Sequence, residues 1–397
     1  MIRSLSDLDL QGRRVLVRVD FNVPLDEGAS GARRITDDTR IRAALPTVRA
    51  LLDAGATPIL MSHLGRPKDG PDPRFSLRPV ADHLGTLVEA PVVFCEQTVG
   101  EAARACIDAA PEGAVVLLEN TRFLPGETKN DDALARQLAA LADAFVSDAF
   151  GSVHRAHAST EGVAHHVAQK GAGLLLAREV AFLTQALDAP ERPFVAVLGG
   201  AKVSDKLGVI EALLDKVDRL LIGGAMAYTF LAALGHRTGA SLVEEDRREE
   251  ALRLYERAGD KLLLPSDHLL GDRFDAAAET KVVTGEIPDG WMGLDIGPAT
   301  RERYARVIEG AATVIWNGPM GAFEMEPFAE GTRAVARALA TATAERGALT
   351  VVGGGDSVAA LNEARLADAV THVSTGGGAM LEFMEGKTLP GLAALDA

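Results

Sequence analysis

The chain has 397 residues, a length that favours two or three domains at about 150 residues each. Hydrophobic residues make up 47% of the chain, as in globular proteins. The sequence contains two cysteines, Cys95 and Cys106, which are too few for a disulfide scaffold and fit a reducing compartment. The net charge of −15 disfavours a general nucleic-acid or anionic-membrane surface, and neither a signal-peptide core nor a membrane-spanning stretch is found. We therefore expect a cytoplasmic protein without nucleic-acid or membrane partners.

Short apolar runs that end in glycine or polar residues recur along the chain. In the first half they are RRVLVRVDFNVP, TPILMSHLGRP, AVVLLENTRF and DAFVSDAFG. In the second half they are FVAVLGGAKVSD, RLLIGGAMA, ATVIWNGPMG, LTVVGGGDS and THVSTGGGAM. Helical patterns lie between the runs, for example at 44–55, 132–143 and 330–346. Continuous apolar strands that alternate with helices predict an α/β protein with doubly wound parallel sheets covered on both faces.

The two halves differ in the residues at the ends of their strands. Strands in the first half end in Arg, His, Asp and Asn, and those in the second half end in glycine runs with Lys, Asp and Glu. Ligands of open α/β sheets bind beyond the carboxyl ends of the strands, so the contrast predicts two domains with two different ligands. The segment 164–193, which reads as a loop, an amphipathic helix and a proline-bounded turn, is the expected boundary.

A set of basic side chains lies just past the strands of the first half. Arg18, Asp20 and Asn22 alternate at the end of the first strand, where a period of two predicts one shared face. The further members are Arg40, His63, Arg66, Arg122 and Arg155. Guanidinium groups that converge on one crevice bind ligands with several anionic groups. Taken singly, each arginine could instead be a surface or ion-paired residue, and His63 a hydrogen-bonded loop residue.

The second half carries the features of a polyphosphate site. Lys202 and Lys206 are four residues apart, which places them on one face in the first turns of a predicted helix, unless they belong to a solvated charged face. Glycines 353–355 and 376–378 each precede a helix and let backbone N–H groups approach a phosphate. Asp356 is a candidate Mg²⁺ ligand, although Asp356 or Ser357 could simply cap the helix. Glu324 could accept from ribose hydroxyls or be merely exposed.

The motifs RVDFNVP, SHLGRP, LLEN-x-RF, DAFG-x-x-HRAH, GGAKVSDK, WNGP-x-G-x-FE, GGGDS and HVSTGGGA together resemble the phosphoglycerate kinase family, in family order from residue 18 to 379. The resemblance implies two Rossmann-like domains joined by a hinge helix. The phosphoglycerate-binding domain is expected at 1–170, the hinge helix at 171–189 and the nucleotide-binding domain at 190–379, with the tail from about residue 380 packing back on the first domain.

The same resemblance implies a reversible glycolytic transfer of a phosphoryl group between 1,3-bisphosphoglycerate and MgADP, giving 3-phosphoglycerate and MgATP, in a monomer with Mg²⁺ as cofactor. The residues that would bind phosphoglycerate are Asp20, Asn22, Arg40, His63, Arg66, Arg122 and Arg155. Those that would bind the nucleotide are Lys202, Lys206, Gly293, Glu324, Gly354, Gly355, Asp356 and Ser357, with Asp356 on the metal. Arg40, Lys202, Gly376 and Gly377 would stabilise the transferred group.

Two other functions remain open at this point. A nicotinamide-dependent oxidoreductase would need the G-x-G-x-x-G fingerprint, which the sequence lacks. A binding protein without catalytic activity on the same fold would bind phosphoglycerate without turnover, since fold does not fix function. Such a protein is expected to have lost some charged site residues, and all of those named above are present.

Overall fold

In the computed structural model, which describes residues 2–27, 33–68 and 70–396, the chain divides into two compact units. Unit 1 comprises Met1–Val180 and Thr388–Ala397, and unit 2 comprises Ala181–Lys387. The sequence prediction placed the end of the first domain at 170 and the return of the chain near 380.

Unit 1 is built on a six-stranded parallel sheet. Its strands, and those of a small antiparallel pair, are β1 Arg14–Val19, β2 Leu25–Glu27, β3 Arg33–Ile35, β4 Thr57–Met61, β5 Val92–Cys95, β6 Val115–Leu118, β7 Ala144–Asp148 and β8 Gln169–Ala172. Its helices are α1 Thr39–Asp53, α2 Arg78–Leu84, α3 Gly100–Asp108, α4 Asp132–Ala139 and α5 Leu174–Asp188, the last of which continues into unit 2. The sheet order is β5-β6-β4-β1-β7-β8, and β2 pairs with β3.

The order of the first sheet creates a switch point beside β1. The chain moves from β1 outward to β4 and its neighbours, and then returns to β7 on the other side. The register pairs Val19 of β1 with Asp148 of β7, so both strands end at the same edge. Apolar side chains of β1, including Val15 and Val17, are fully buried, as a sheet covered on both faces requires.

Unit 2 repeats this architecture. Its strands are β9 Phe194–Leu198, β10 Arg219–Ile222, β11 Leu262–Leu263, β12 Asp267–Gly271, β13 Thr280–Thr284, β14 Met292–Ile296, β15 Thr313–Asn317, β16 Leu349–Gly353 and β17 His372–Val373. Its helices are α6 Leu207–Leu214, α7 Met226–Ala233, α8 Arg248–Ala258, α9 Pro298–Glu309, α10 Glu330–Arg346, α11 Gly355–Glu363 and α12 Gly377–Met384. The parallel sheet has the order β11-β10-β9-β15-β16-β17, and β13-β12-β14 form a separate antiparallel sheet.

The predicted α/β class with two doubly wound parallel sheets is confirmed, and the structure adds details. Helix α1 begins at Thr39, five residues before the predicted stretch, and contains Pro46. The antiparallel sheet of unit 2 was not predicted. A last short helix, α13 Pro390–Ala393, belongs to unit 1, where the Gly391 N–H donates to the Val153 carbonyl at 2.8 Å.

Cys95 at the end of β5 and Cys106 in α3 form a disulfide bond. The two residues are 11 positions apart, so the bond closes a local loop in unit 1. Counting cysteines did not reveal this pair. The inference from the cysteine count to a reducing compartment therefore loses its support.

Candidate active site

Unit 1 contains a cavity of about 600 Å³ beside the carboxyl ends of its strands. The lining carries five side chains with fixed positive charge and one histidine, namely Arg66, Lys68, Arg122, Lys129, Arg155 and His157. Pro67, Leu124, Pro125 and Thr128 complete the wall. Three of the predicted arginines therefore lie around one space, whereas Lys68, Lys129 and His157 were not among the predicted site residues. His157 lies within the quoted HRAH motif, but nothing in the sequence alone marked the two lysines.

Arg40, Asp20 and Asn22 form a neighbouring group at the end of β1. Arg40, in the first turn of α1, donates through Nη1 to the Asn22 carbonyl at 2.9 Å and lies 3.5 Å from Asp20 Oδ1. Asn22 Oδ1 accepts from the Gly65 N–H at 2.8 Å, and the Gly65 carbonyl accepts from Arg122 Nη1 at 2.6 Å. Gly65 thus connects this group to the cavity wall.

Arg18 lies beneath the site and not on a shared face with Asp20 and Asn22. Strand β1 ends at Val19, so the period of two does not extend to residues 20 and 22. The Arg18 guanidinium is buried and contacts His63 Nδ1 at 3.1 Å and Ser159 Oγ at 2.9 Å. His63 is buried as well, which makes it part of the support of the site.

The pKa values of this region reveal crowded positive charge. Burial, followed by the charges of Arg18 and Arg122, lowers the pKa of His157 to about 4, and the same causes hold the pKa of His63 well below its usual range. Burial, followed by Arg155 and Arg18, lowers the pKa of Arg122 to about 10. An anionic ligand in the cavity would relieve this repulsion. The two histidines are neutral at pH 7, so the arginines and lysines carry the charge.

In unit 2, glycine-rich loops follow β9, β15, β16 and β17 at one edge of the sheet. Gly318 has a φ of +100°, and a side chain there would overlap the Gly199 backbone. A Cβ atom on Gly377 would lie 2.8 Å from Gly354 Cα, so the β16 and β17 loops touch through two glycines. The N–H groups that begin α11 and α12 therefore lie close together.

Lys206 and Asn317 lie at the same edge. Lys206 is buried and donates through Nζ to Asn317 Oδ1. Burial lowers the pKa of Lys206 to about 8, although the negative charges of Asp205 and Asp356 act in the opposite direction. Asn317 Nδ2 is buried without a hydrogen-bond partner in the protein. A buried donor of this kind is costly unless a ligand or water accepts from it.

The prediction that Lys202 and Lys206 lie on one face of a helix is wrong. Helix α6 begins at Leu207 with Lys206 as its N-cap residue, and Lys202 lies in the preceding turns and is exposed. Lys206 itself is not helical, with a φ of −124°, and the Ser204 N–H before it donates to Glu244 Oε2 at 3.0 Å.

The remaining predicted residues have different surroundings. Ser357 does not cap α11, since Gly354 is the N-cap residue. The buried Oγ of Ser357 instead accepts from the Gly318 N–H at 2.7 Å. Asp356, in the first turn, and Glu324 are exposed. Gly293 lies in β14, away from the glycine-rich loops in sequence, where a side chain would overlap the Tyr228 ring.

Two general properties bear on metals and membranes. No three or more His, Cys, Asp or Glu side chains within residues 2–27, 33–68 and 70–396 are grouped so that they could hold a metal ion. In the same part of the chain, no helix has the length and apolar character needed to cross a membrane.

Comparison with known proteins assigns the family. The phosphoglycerate kinase family model matches residues 5–387. Phosphoglycerate kinases of Herpetosiphon aurantiacus and Salinibacter ruber are each 57% identical, over 99% of this chain and 99% and 98% of the relatives. The solved structure of the Coxiella burnetii enzyme (TM-score 0.87, 42% identity) covers 100% of this chain and 99% of that one. The Pyrococcus horikoshii enzyme (TM-score 0.86, 32% identity) covers 100% and 98%. The chain belongs to the phosphoglycerate kinase family.

Proposed function

We propose that the basic cavity of unit 1 holds phosphoglycerate and that the glycine-rich edge of unit 2 holds the nucleotide. The reaction of the family is the reversible, glycolytic transfer of a phosphoryl group between 1,3-bisphosphoglycerate and ADP, and the chain is an enzyme of this kind. The observation that carries the assignment of sites is the cavity of about 600 Å³ with five fixed cationic side chains. A ligand with both a phosphate and a carboxylate matches that excess of charge.

The phosphoglycerate residues divide into two groups. Arg66, Arg122 and Arg155 line the cavity and anchor the phosphate and carboxylate that do not react, and the buried His63 contacts Arg18. Asp20 and Asn22 hold Arg40 at the end of β1, where Arg40 stabilises the phosphoryl group in transfer.

The residues that bind the nucleotide contribute backbone N–H groups, positive charge and further polar contacts. The N–H groups of Gly354, Gly355, Gly376 and Gly377 begin α11 and α12 and bind phosphate oxygens. Lys202 and Lys206 supply positive charge, and the unpaired Asn317 Nδ2 is a further donor. Gly293 lets the Tyr228 ring pack directly against the backbone of β14, and Glu324 accepts from the ribose.

Magnesium fits this edge as a partner of the nucleotide. Asp356 is an exposed carboxylate beside the phosphate-binding turn, and one protein carboxylate together with phosphate oxygens is a common donor set for Mg²⁺. Bound magnesium would neutralise charge on the phosphates. Asp356 and the glycine N–H groups orient the nucleotide.

The reaction needs no general base, because the acceptor, a carboxylate or a terminal phosphate oxygen, is already ionised. Catalysis then consists of positioning and charge stabilisation, with closure of the two units about the α5 connection excluding water. We further propose that the enzyme acts as a monomer in the cytoplasm without nucleic-acid or membrane partners.

Calorimetric titration tests the assignment of sites directly. We expect 3-phosphoglycerate to bind wild type and an Asp356→Asn variant equally. MgADP should bind the variant more weakly than wild type. An Arg122→Ala variant should show the reverse pattern. If either variant lost the binding of both ligands while its fold remained intact, the assignment of two separate sites would be contradicted.

A further inference from the structure

Asn120 joins two loops of the basic cavity of unit 1. It lies two residues past β6, and its side chain is fully buried. The Nδ2 group donates to the Leu64 carbonyl at 2.7 Å and to the Phe75 carbonyl at 2.9 Å. The Oδ1 atom accepts from the Leu64 N–H at 3.2 Å and from the Arg122 N–H at 3.0 Å. Both N–H groups and both acceptor positions of the amide are therefore occupied by the protein backbone.

The backbone groups that Asn120 binds lie beside two arginines of the cavity. Leu64 comes two residues before Arg66, and the Arg122 N–H is itself one of the bound groups. Arg66 and Arg122 both line the cavity. Arg122 Nη1 also donates to the carbonyl of Gly65, which lies between Leu64 and Arg66. The loops after β4 and β6 are thus joined at the points where each contributes a guanidinium group to the cavity wall.

These contacts hold Arg122 in place and still leave it a donor for a ligand. Its Nε is buried without a hydrogen-bond partner among the described residues. Such a donor lowers stability unless a ligand or water accepts from it. Gly65 has a φ of +61°, and a side chain there would overlap the Phe75 ring, so the loop after β4 has little room to shift. The contacts therefore define where both arginines begin before a ligand binds.

We propose that Asn120 is a positioning residue of the phosphoglycerate cavity, because it fixes the backbone positions from which Arg66 and Arg122 reach the ligand. The inference rests on the proposed function, since it takes the cavity as the site of phosphoglycerate. Groups that are set in place before binding lose less conformational freedom when the ligand arrives, so they bind it more tightly. Asn120 is not among the described residues of the lining and acts through the two arginines.

Removal of the Asn120 side chain tests the proposal, with Thr98 as the matched control. Thr98 is also buried, and its hydroxyl donates at 3.0 Å to the carbonyl of Glu119, one residue before Asn120. For Asn120→Ala we expect the dissociation constant of 3-phosphoglycerate to rise about tenfold, with MgADP binding unchanged and kcat at saturating substrate within about twofold of wild type. Thr98→Ala should leave all three quantities unchanged. An unchanged dissociation constant in folded Asn120→Ala would overturn the proposal.

A double-mutant cycle separates positioning from a general loss of structure. In an Arg66→Ala background, Asn120→Ala has one arginine fewer to misplace, so it should weaken binding of 3-phosphoglycerate by only about threefold. Arg136, an exposed arginine of α4 paired with Asp132, provides the control background. In Arg136→Ala the full effect of about tenfold should remain. Equal effects in the two backgrounds would overturn the proposal.

Hydrogen exchange of wild type provides a test that no folding defect can disturb. The Leu64 and Arg122 amides should be protected in the ligand-free protein, because both donate to Asn120 Oδ1. Exchange of these amides at the rate of an unstructured chain would overturn the positioning role alone. Failure of wild type to bind 3-phosphoglycerate at all would instead refute the proposed function.

Discussion

Single side chains give the basic cavity of unit 1 its charge. Glu127 is the carboxylate buried near Arg18 and Arg122, and it is occupied by Ser159, whose N–H donates at 3.0 Å, and by Thr121, whose hydroxyl donates at 3.2 Å. No acidic side chain is among the described residues that line the cavity, so the lining keeps an excess of positive charge for a ligand. Sequence reasoning found the arginines because each lies just past a strand, but it missed Lys68 and Lys129, whose positions depend on the course of long loops.

Arg40 is predicted to act on the transferred group. Arg40→Ala should lower kcat on the order of 100-fold and change the dissociation constant of 3-phosphoglycerate much less, because the contact is strongest in the transition state. Arg42→Ala, two residues along and exposed beside Asp38, is the matched control and should retain activity. A raised KM with unchanged kcat in Arg40→Ala would contradict this role.

The lowered pKa of His157 predicts a pH dependence of stability. The unfolded state takes up the proton near pH 6.5, whereas the folded state takes it up near pH 4. Folded protein therefore loses stability as the pH falls from 6.5 towards 4. Between pH 7 and 5 this residue should account for about 1 kcal/mol, allowing for its partial exposure. Urea unfolding of His157→Gln should show a shallower decline, and a decline as steep as that of wild type would contradict the prediction.

The elements show which features local sequence can predict. Strands of the two parallel sheets were recognisable because both of their faces are buried, which gives continuous apolar runs. The antiparallel strands β12 to β14 were missed, since β13 alternates between exposed and half-buried residues and its partners are set by tertiary pairing. The start of α6 was misplaced because Lys206 is a non-helical N-cap residue and the Ser204 N–H before it is bound to the distant Glu244 side chain.

The contact between the glycine loops predicts a specific defect. Gly377→Ala would place a Cβ atom 2.8 Å from Gly354 Cα, so the β16 and β17 loops must separate. The KM for MgATP should rise on the order of tenfold, with 3-phosphoglycerate binding unchanged. Gly310→Ala is the control, because its backbone φ is −81° and its nearest neighbour would lie 3.3 Å away. Unaltered nucleotide kinetics in Gly377→Ala would refute this arrangement.

The disulfide bond between β5 and α3 predicts a local contribution to stability. Cys106→Ser should lower the free energy of unfolding by about 2–3 kcal/mol, because the bond restricts the unfolded chain over a short loop. Turnover should be unaffected, since neither cysteine lines the cavity. Chemical denaturation with and without reductant provides the measurement. Two titratable thiols in native wild type would show that the bond is absent.

For the whole molecule, the two sheets present different chemistry at their carboxyl edges. Unit 1 offers side-chain cations, and unit 2 offers backbone N–H groups with few cations. This division suits a reaction in which one partner carries separate phosphate and carboxylate groups and the other carries a polyphosphate. The sequence predicted the division from the residues at the end of each strand. It could not predict the hydrogen bonds from the first N–H groups of α5 to Thr47 and Asp148, because these residues are far apart in the chain and meet only through tertiary packing.

The most direct test of the account is turnover of purified protein supplied with MgATP and 3-phosphoglycerate, read as ADP formation in a coupled assay. Controls omit the magnesium or the phosphoglycerate. We expect ADP formation that requires both. ATP hydrolysis that proceeds without phosphoglycerate, or binding of both ligands without turnover, would contradict it.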